Sequence, residues 1–270
     1  MTGPDSDRAA RFRSLHDAGI FVIANAWDAG SARMLAGLGF PAIATSSGAM
    51  ANTLGRLDGR VSRDEALAHA RALVEAVEIP VAADLENGFG DLPEDAAETI
   101  RRSAALGLAG GSIEDYSGKA LYALPQAVER IQAAVEAARA APSGFVVTAR
   151  AENFIRGRPD LEDTIRRLQA YEGAGAEVLF APGLPDLAAV RAVCQALSRP
   201  FNFMVGIPGK SWPLADLQAA GVRRVSLATS LYKAAMTGVA AAAREIREKG
   251  TFGYVDAAMA SKELSGYMRS

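Results

Sequence analysis

A single cysteine in 270 residues excludes a disulfide framework and a cysteine-bound zinc cluster. That residue, Cys194, sits in "LAAVRAVCQAL" with Val190, Val193 and Leu197 at helical spacing, so it reads as a small core residue and not as a reactive thiolate. Histidine is almost as scarce: His16 lies in the leading helical stretch and His69 inside "EALAHARAL", both away from any strand end, which assigns them packing roles. Of the five lysines none is visible on a strand, which argues against the Schiff-base chemistry of a lysine-dependent aldolase. No apolar run is long enough to span a bilayer, and the polar start "MTGPDSDRAARF" lacks the apolar core of a signal peptide. A cytoplasmic protein is expected. Charge of one sign is also missing: 29 basic residues stand against 31 acidic ones, which argues against nucleic acid or an acidic membrane as partner.

Half of the residues are hydrophobic, enough for one large core. They fall into eight short apolar runs: "FVIANA" (21–26), "AIATSS" (42–47), "VAADLE" (81–86), "GSIED" (111–115), "FVVTARAE" (145–152), "EVLFAP" (177–182), "FNFMVG" (201–206) and "VSLAT" (225–229). Continuous apolar runs of this length fit parallel strands buried on both faces. Between them lie stretches with apolar residues three and four apart, such as "SRDEALAHARALVEAV", opened by Ser62 and Asp64, and "PQAVERIQAAVEAARAA", opened by Pro125. Glycines close several of them, as in "LAGLGF" and "AAGVRR". Eight strand–helix units predict a (β/α)8 barrel over residues 1–270 as a single domain. A doubly wound open sheet fits less well, because "NAWDAGSARM" after the first strand is not a glycine-rich phosphate turn.

Barrels carry their chemistry where strands end. Those positions hold Asn25, Trp27 and Asp28; Thr45, Ser46, Ser47 and Gly48; Asp84 and Glu86; Glu114 and Asp115; Arg150 and Glu152. Asp84 and Glu86 share one face of their strand, and carboxylates that close need a cation, a proton or an ion pair between them. An oxygen-only donor set suits a hard ion, Mg²⁺ or Mn²⁺. Pairing with Arg150, or capping of the helix at "LPEDAAETIRRS", is the simpler account of any one acid alone.

The succession "AGIFVIANAWDAGSARMLAGLGFPAIATSSGAMA", "VAADLENGFG", "GGSIED", "TARAENF" and "AAGVRRVSLATSLYKAA" resembles the isocitrate lyase / phosphoenolpyruvate mutase superfamily over nearly the whole chain. The resemblance implies a (β/α)8 barrel in a homotetramer, a dimer of helix-swapped dimers, with residues 231–270 as the C-terminal helical arm exchanged between subunits. It implies Mg²⁺ as cofactor, with Asp84, Glu86 and Glu114 in the metal shell, and a small carboxylate substrate. Ser46, Ser47, Gly48, Arg150 and Trp27 are the implied substrate-binding residues; Asp58, on a closing loop, joins Arg150 and Glu114 as the implied catalytic ones. The reaction implied is cleavage of a C–C bond in a small 2-oxo or 2-hydroxy acid through a pyruvate enolate, as in methylisocitrate lyases or oxaloacetate decarboxylases. C–P bond chemistry of the phosphonomutase or phosphonopyruvate hydrolase type is the alternative, and a carboxylate-binding barrel without turnover is a third reading. The chain departs from the family at Asp84-x-Glu86, where Asp-x-Asp is usual. It also departs in the stretch "EDYSGKALYALPQAV", which carries neither the lyase cysteine–histidine loop nor the Lys-Thr-Asn-Ser-like loop of the phosphonate branch, and in "LFAPGLPD", which lacks an acid at the sixth strand end. Tyr116 and Tyr122 are the proton-donor candidates in that altered loop.

Overall fold

The computed structural model of the chain describes residues 4–269; residues 1–3 of the polar start and Ser270 of the arm lie outside the described residues. Eight strands, β1 Phe21–Asn25, β2 Ile43–Ala44, β3 Val81–Asp84, β4 Gly110–Glu114, β5 Val146–Arg150, β6 Val178–Phe180, β7 Phe201–Met204 and β8 Arg224–Ser226, pair in chain order. All pairs are parallel and β8 closes on β1, so the sheet is the expected barrel. Every residue of β5 is buried, as a strand inside a ring of helices requires.

The covering helices are α2 Ala29–Gly37, α3 Ser47–Thr53, α4 Arg63–Ala76, α5 Pro93–Ala105, α6 Leu124–Ala140, α7 Leu161–Gly173, α8 Leu187–Ala196 and α9 Leu214–Ala219. Their starts follow capping chemistry. Ser62 and Glu65 form a capping box on α4, Asp186 accepts from Ala189 N on α8, and Pro93 and Pro125 occupy first turns where a missing N–H costs nothing. Gly39 and Gly221, just past α2 and α9, take φ of 90° and 102°, a left-handed turn open to glycine. Cys194 lies half-buried on α8, and burial pushes its thiol up to about 12, in keeping with an inert packing role.

A leading helix, α1 Pro4–Ser14, plugs the barrel floor. Its Ala9 and Phe12 pack with Ile23, Ala82, Val146 and Val178 near the strand starts. A Cβ on Gly110 would stand 2.9 Å from the Phe12 ring, so glycine there is what admits the ring. His16 lies two residues past α1, and His69 lies within α4.

Most strands are shorter than their apolar runs, and two show why. β2 stops at Ala44 because Ser46 turns the chain into α3, accepting from Ala49 N as its cap. β8 begins at Arg224 and ends at Ser226, since Leu227 N is taken by Asn25 Oδ1 and Ala228 adopts φ 47°. The C-terminal arm comprises α10 Ser230–Lys249, α11 Tyr254–Ala257 and α12 Ser261–Tyr267. α10 has no buried residue. Farther along, the arm returns to its own chain, where Tyr267 lies against Gly37 of α2 and Arg33 Nη1 donates to Met268 O at 2.9 Å.

Candidate active site

Three neighbouring strands deliver Asp84, Glu114 and Arg150 as their last residues, with Glu114 and Arg150 in register. Arg150 Nη1 donates to Asp84 Oδ1 at 3.0 Å, Nη2 lies 3.3 Å from Glu114 Oε2, and Nε and Nη2 donate to Glu152 Oε1 at 3.1 and 2.8 Å. Its guanidinium also lies over the Phe180 ring, 4.9 Å from the centroid. Burial alone would lower the Arg150 pKa, but Glu152, Glu114 and Asp84 outweigh it and hold the side chain charged. Asp84, Glu114, Arg150 and Phe180 line a cavity of about 1240 Å³ that opens at the carboxyl ends of the strands, with Glu152 buried behind them.

The loops complete the wall. Asp84 Oδ2 accepts from Ser47 Oγ at 3.0 Å and from Ser47 N at 3.3 Å, which ties β3 to the start of α3. Ser46, Ser47, Gly48 and Asp58 all border the cavity. A Cβ on Gly48 would lie 3.3 Å from Asp58 Oδ2, so the loop carrying Asp58 folds over that glycine. Trp27 is not among the lining residues: its ring meets the edge of Tyr232 on α10 at 5.6 Å, and its carbonyl accepts from His69 Nε2 at 2.8 Å. Asp28 caps α2, the simpler of the two roles open to it.

At the rim the carboxylates of Asp58, Asp84, Glu86 and Glu114 lie around the guanidiniums of Arg150 and Arg156. Burial first, then Asp84 and Asp58, push the Glu86 carboxyl up to about 7. Burial likewise raises Glu114 well above the carboxylate range. Glu86 has φ 49°, Phe89 φ 60° and Ala228 φ 47°; these are the non-glycine residues in the left-handed region among the described residues, and all lie at the barrel rim. Among the described residues no three acids or imidazoles converge tightly enough to ligate one ion directly. A carboxylate cluster without a histidine or thiolate suits a hydrated Mg²⁺, which keeps waters and uses one or two carboxylates. Asp84, Glu86 and Glu114 are the residues that would hold it.

Arg156, six residues past the end of β5, also reaches the site without standing at a strand end. Its Nη2 lies 3.3 Å from Glu114 Oε1 and 3.0 Å from Glu152 Oε2, and its guanidinium stacks 4.0 Å from the centroid of Tyr116. Its spacing of four from Glu152 was the available signal. Behind the rim, Asp115 is held by Arg167 Nη1 at 3.1 Å and by Tyr171 Oη at 2.6 Å, and accepts from Glu152 N at 2.8 Å. Asp115 therefore supports Glu152 from below and does not face the cavity. Tyr122 Oη donates to Asp91 Oδ1 at 2.6 Å and accepts from Asn87 Nδ2, and burial pushes it up to about 12. Tyr116, in contrast, borders the cavity.

A closed parallel barrel whose strand ends converge arginine and carboxylates on one deep cavity defines a (β/α)8 protein with a charged site at its carboxyl face. The chain belongs to the phosphoenolpyruvate phosphomutase family, in the isocitrate lyase / phosphoenolpyruvate mutase superfamily: that family's model matches residues 12–247. It is 34% identical over 240 residues to an uncharacterized protein of Mycobacterium tuberculosis H37Rv, spanning 88% of this chain and 89% of that one. Against the 2-methylisocitrate lyase of Escherichia coli K12 the identity is 30% over 227 residues, 79% of this chain and 75% of the enzyme. A crystal structure from Burkholderia cenocepacia J2315, described provisionally as a lyase/mutase, superposes with a TM-score of 0.96 at 46% identity, covering 99% of this chain and 97% of that one.

Proposed function

We propose that the protein is a Mg²⁺-dependent lyase (with Mn²⁺ as substitute) that cleaves a C–C bond of a small 2-oxo or 2-hydroxy acid through a pyruvate enolate. The observation that carries this is the convergence of Asp84, Glu114 and Arg150 from adjacent strand ends onto one cavity, with Glu86 and Asp58 facing them. Likeness to a 2-methylisocitrate lyase favours C–C cleavage. Asp84, Glu86 and Glu114 would hold the cation, which would supply positive charge to stabilise a developing enolate. Arg150 and Arg156 keep the carboxylates oriented and present cationic edges to a substrate carboxylate. As the bond from C3 to the departing carbon breaks, that carbon leaves as CO₂ and the electron pair enters the enolate; a proton from Tyr116, at the cavity wall and restored from water, then completes pyruvate. The α3 start from Ser46 to Gly48 and the Asp58 loop close the wall above and exclude water. The proposal extends to a homotetramer in which α10, with Met236, Val239 and Ile246 exposed, docks on a second subunit.

Pyruvate release is the test, from oxaloacetate, methylisocitrate, isocitrate, phosphonopyruvate and malate derivatives, each with Mg²⁺ and with chelator. Mg²⁺-dependent pyruvate, lost at least a hundredfold in Asp84→Asn, is expected. Turnover unchanged in Asp84→Asn removes the metal site from the reading. Inorganic phosphate from phosphonopyruvate alone would transfer it to C–P cleavage, the second reading that the matching family model favours. Silence across the panel with metal-dependent oxalate binding would leave a carboxylate-binding barrel.

A further inference from the structure

Below the carboxylates the cavity continues down the lumen, past Ala44, Ala82 and Ser112, to Arg224. The small residues on β2 to β4 leave open what bulky layers usually fill. Arg224 is the first residue of β8 and is 5% exposed. Its Nε donates to Asn202 Oδ1 at 2.8 Å, its Nη2 to Thr148 Oγ1 at 3.0 Å, and its Nη1 lies 3.4 Å from His16 Nε2.

Every one of these partners is neutral. His16 donates through Nδ1 to Phe12 O at 3.0 Å, which leaves Nε2 an acceptor, and burial followed by the Arg224 charge pushes the imidazole down to about 3. Arg150 and Arg167, also buried, meet carboxylates instead. Burial is the one influence on Arg224, pushing it down to about 9. A guanidinium has five N–H donors, and three are used here. Two hydroxyls beside it each accept one hydrogen bond and donate none among the described residues. Thr148 Oγ1 accepts from Arg224, and Ser226 Oγ accepts from Asn202 Nδ2 at 3.0 Å. A buried cation without a counter-ion is costly, and donors converging on open space mark where an anion belongs.

We infer that the floor of the lumen is a binding site for a small monoanion, held by Arg224 with the hydroxyls of Thr148 and Ser226. The ligand is either a free halide-sized ion or the carboxylate arm of a molecule bound from the mouth. Neither the metal nor the reaction proposed above enters this inference. Crystals of the full chain soaked in sodium bromide test it by anomalous scattering. A bromide peak within about 3.5 Å of the Arg224 nitrogens is expected. An empty floor, in crystals whose surface carries ordered bromides, overturns the proposal. In solution, saturating bromide should raise the Tm by about 5 °C. Arg224→Gln should abolish both the peak and that part of the rise, and a peak that persists in this variant overturns the assignment. Should Arg224→Gln fail to fold, Thr148→Val, which removes one hydroxyl donor, should lower the bromide occupancy severalfold, and unchanged occupancy counts against the site. Soaking bromide together with malonate separates the two ligand sources. Displacement by density running from mouth to floor assigns the site to a ligand's carboxylate; a retained peak beside bound malonate assigns it to a free ion.

Discussion

Replacing Arg167 by Met strips a buried carboxylate of its counter-ion. Arg167 Nη1 sits 3.1 Å from Asp115 Oδ2 and also donates to Tyr122 O at 3.0 Å, while its Nε donates to Asp163 Oδ2 at 2.9 Å. Asp115 is 3% exposed and would keep only Tyr171 Oη and Glu152 N as donors. Breaking a buried pair from one side costs about 3–5 kcal/mol, because the remaining charge is neither solvated nor neutralised. For a chain of this size that is a fall of about 10 °C in Tm. The cost depends on pH with a definite sign. Burial already raises the Asp115 pKa, and loss of Arg167 raises it further. A group whose folded pKa lies above its unfolded value favours the fold below the unfolded pKa and ceases to do so as pH rises through the folded one. The gap between Arg167→Met and the parent should therefore be widest at alkaline pH and shrink toward pH 4. Thermal unfolding followed by circular dichroism, across pH, for the parent, Arg167→Met, Asp115→Asn and the double variant measures it. In the Asp115→Asn background the arginine substitution should cost less than half as much. Equal losses at every pH and in both backgrounds would falsify the charge argument and leave only lost packing.

Glu86, raised from 4.5 to about 7, should make the fold less stable as pH climbs through that window, by about 2 kcal/mol after solvent screening. Glu86→Gln should flatten the Tm profile, and a parent profile that is already flat contradicts the shift. In Gly48→Ala the new methyl would lie 3.1 Å from Thr229 Cγ2 and 3.3 Å from Asp58 Oδ2, so turnover should drop about tenfold with Tm nearly unchanged. Equal turnover would detach Asp58 from the reaction. Glutamate at both Met236 and Val239 on α10 should convert the assembly into smaller species by sedimentation, and a parent chain that sediments as a monomer would refute the tetramer.

The strands were legible because a parallel barrel buries both faces, so each reads as an apolar run. Their ends were less so. Nothing in "AIATSS" says that Ser46 will cap a helix, and nothing in "VSLAT" announces the left-handed Ala228. Asp84, Glu86, Glu114 and Arg150 could be singled out because a charged residue closing an apolar run lies at the rim by construction. Pairing with Arg150 was the simpler account of any one acid, but which acids it joins could not be read, since that depends on the order in which strands adjoin. Arg224 was hidden for the same reason: its contacts to Thr148 and Asn202 lie 76 and 22 residues away in sequence and meet only when the barrel closes. Trp27 shows the opposite error, since its place at a strand end does not fix its ring, which follows Tyr232 outward.

The plug formed by Phe12 and α1 makes the lumen a blind alley. Whatever enters passes the rim formed by Asp84, Glu114 and Arg150, and must return the same way. When a bound molecule is split in such a vessel, the fragment nearer the floor is trapped until the outer one has gone. Departure is then sequential by geometry, and the outer fragment, added back in excess, should stopper the inner one in place.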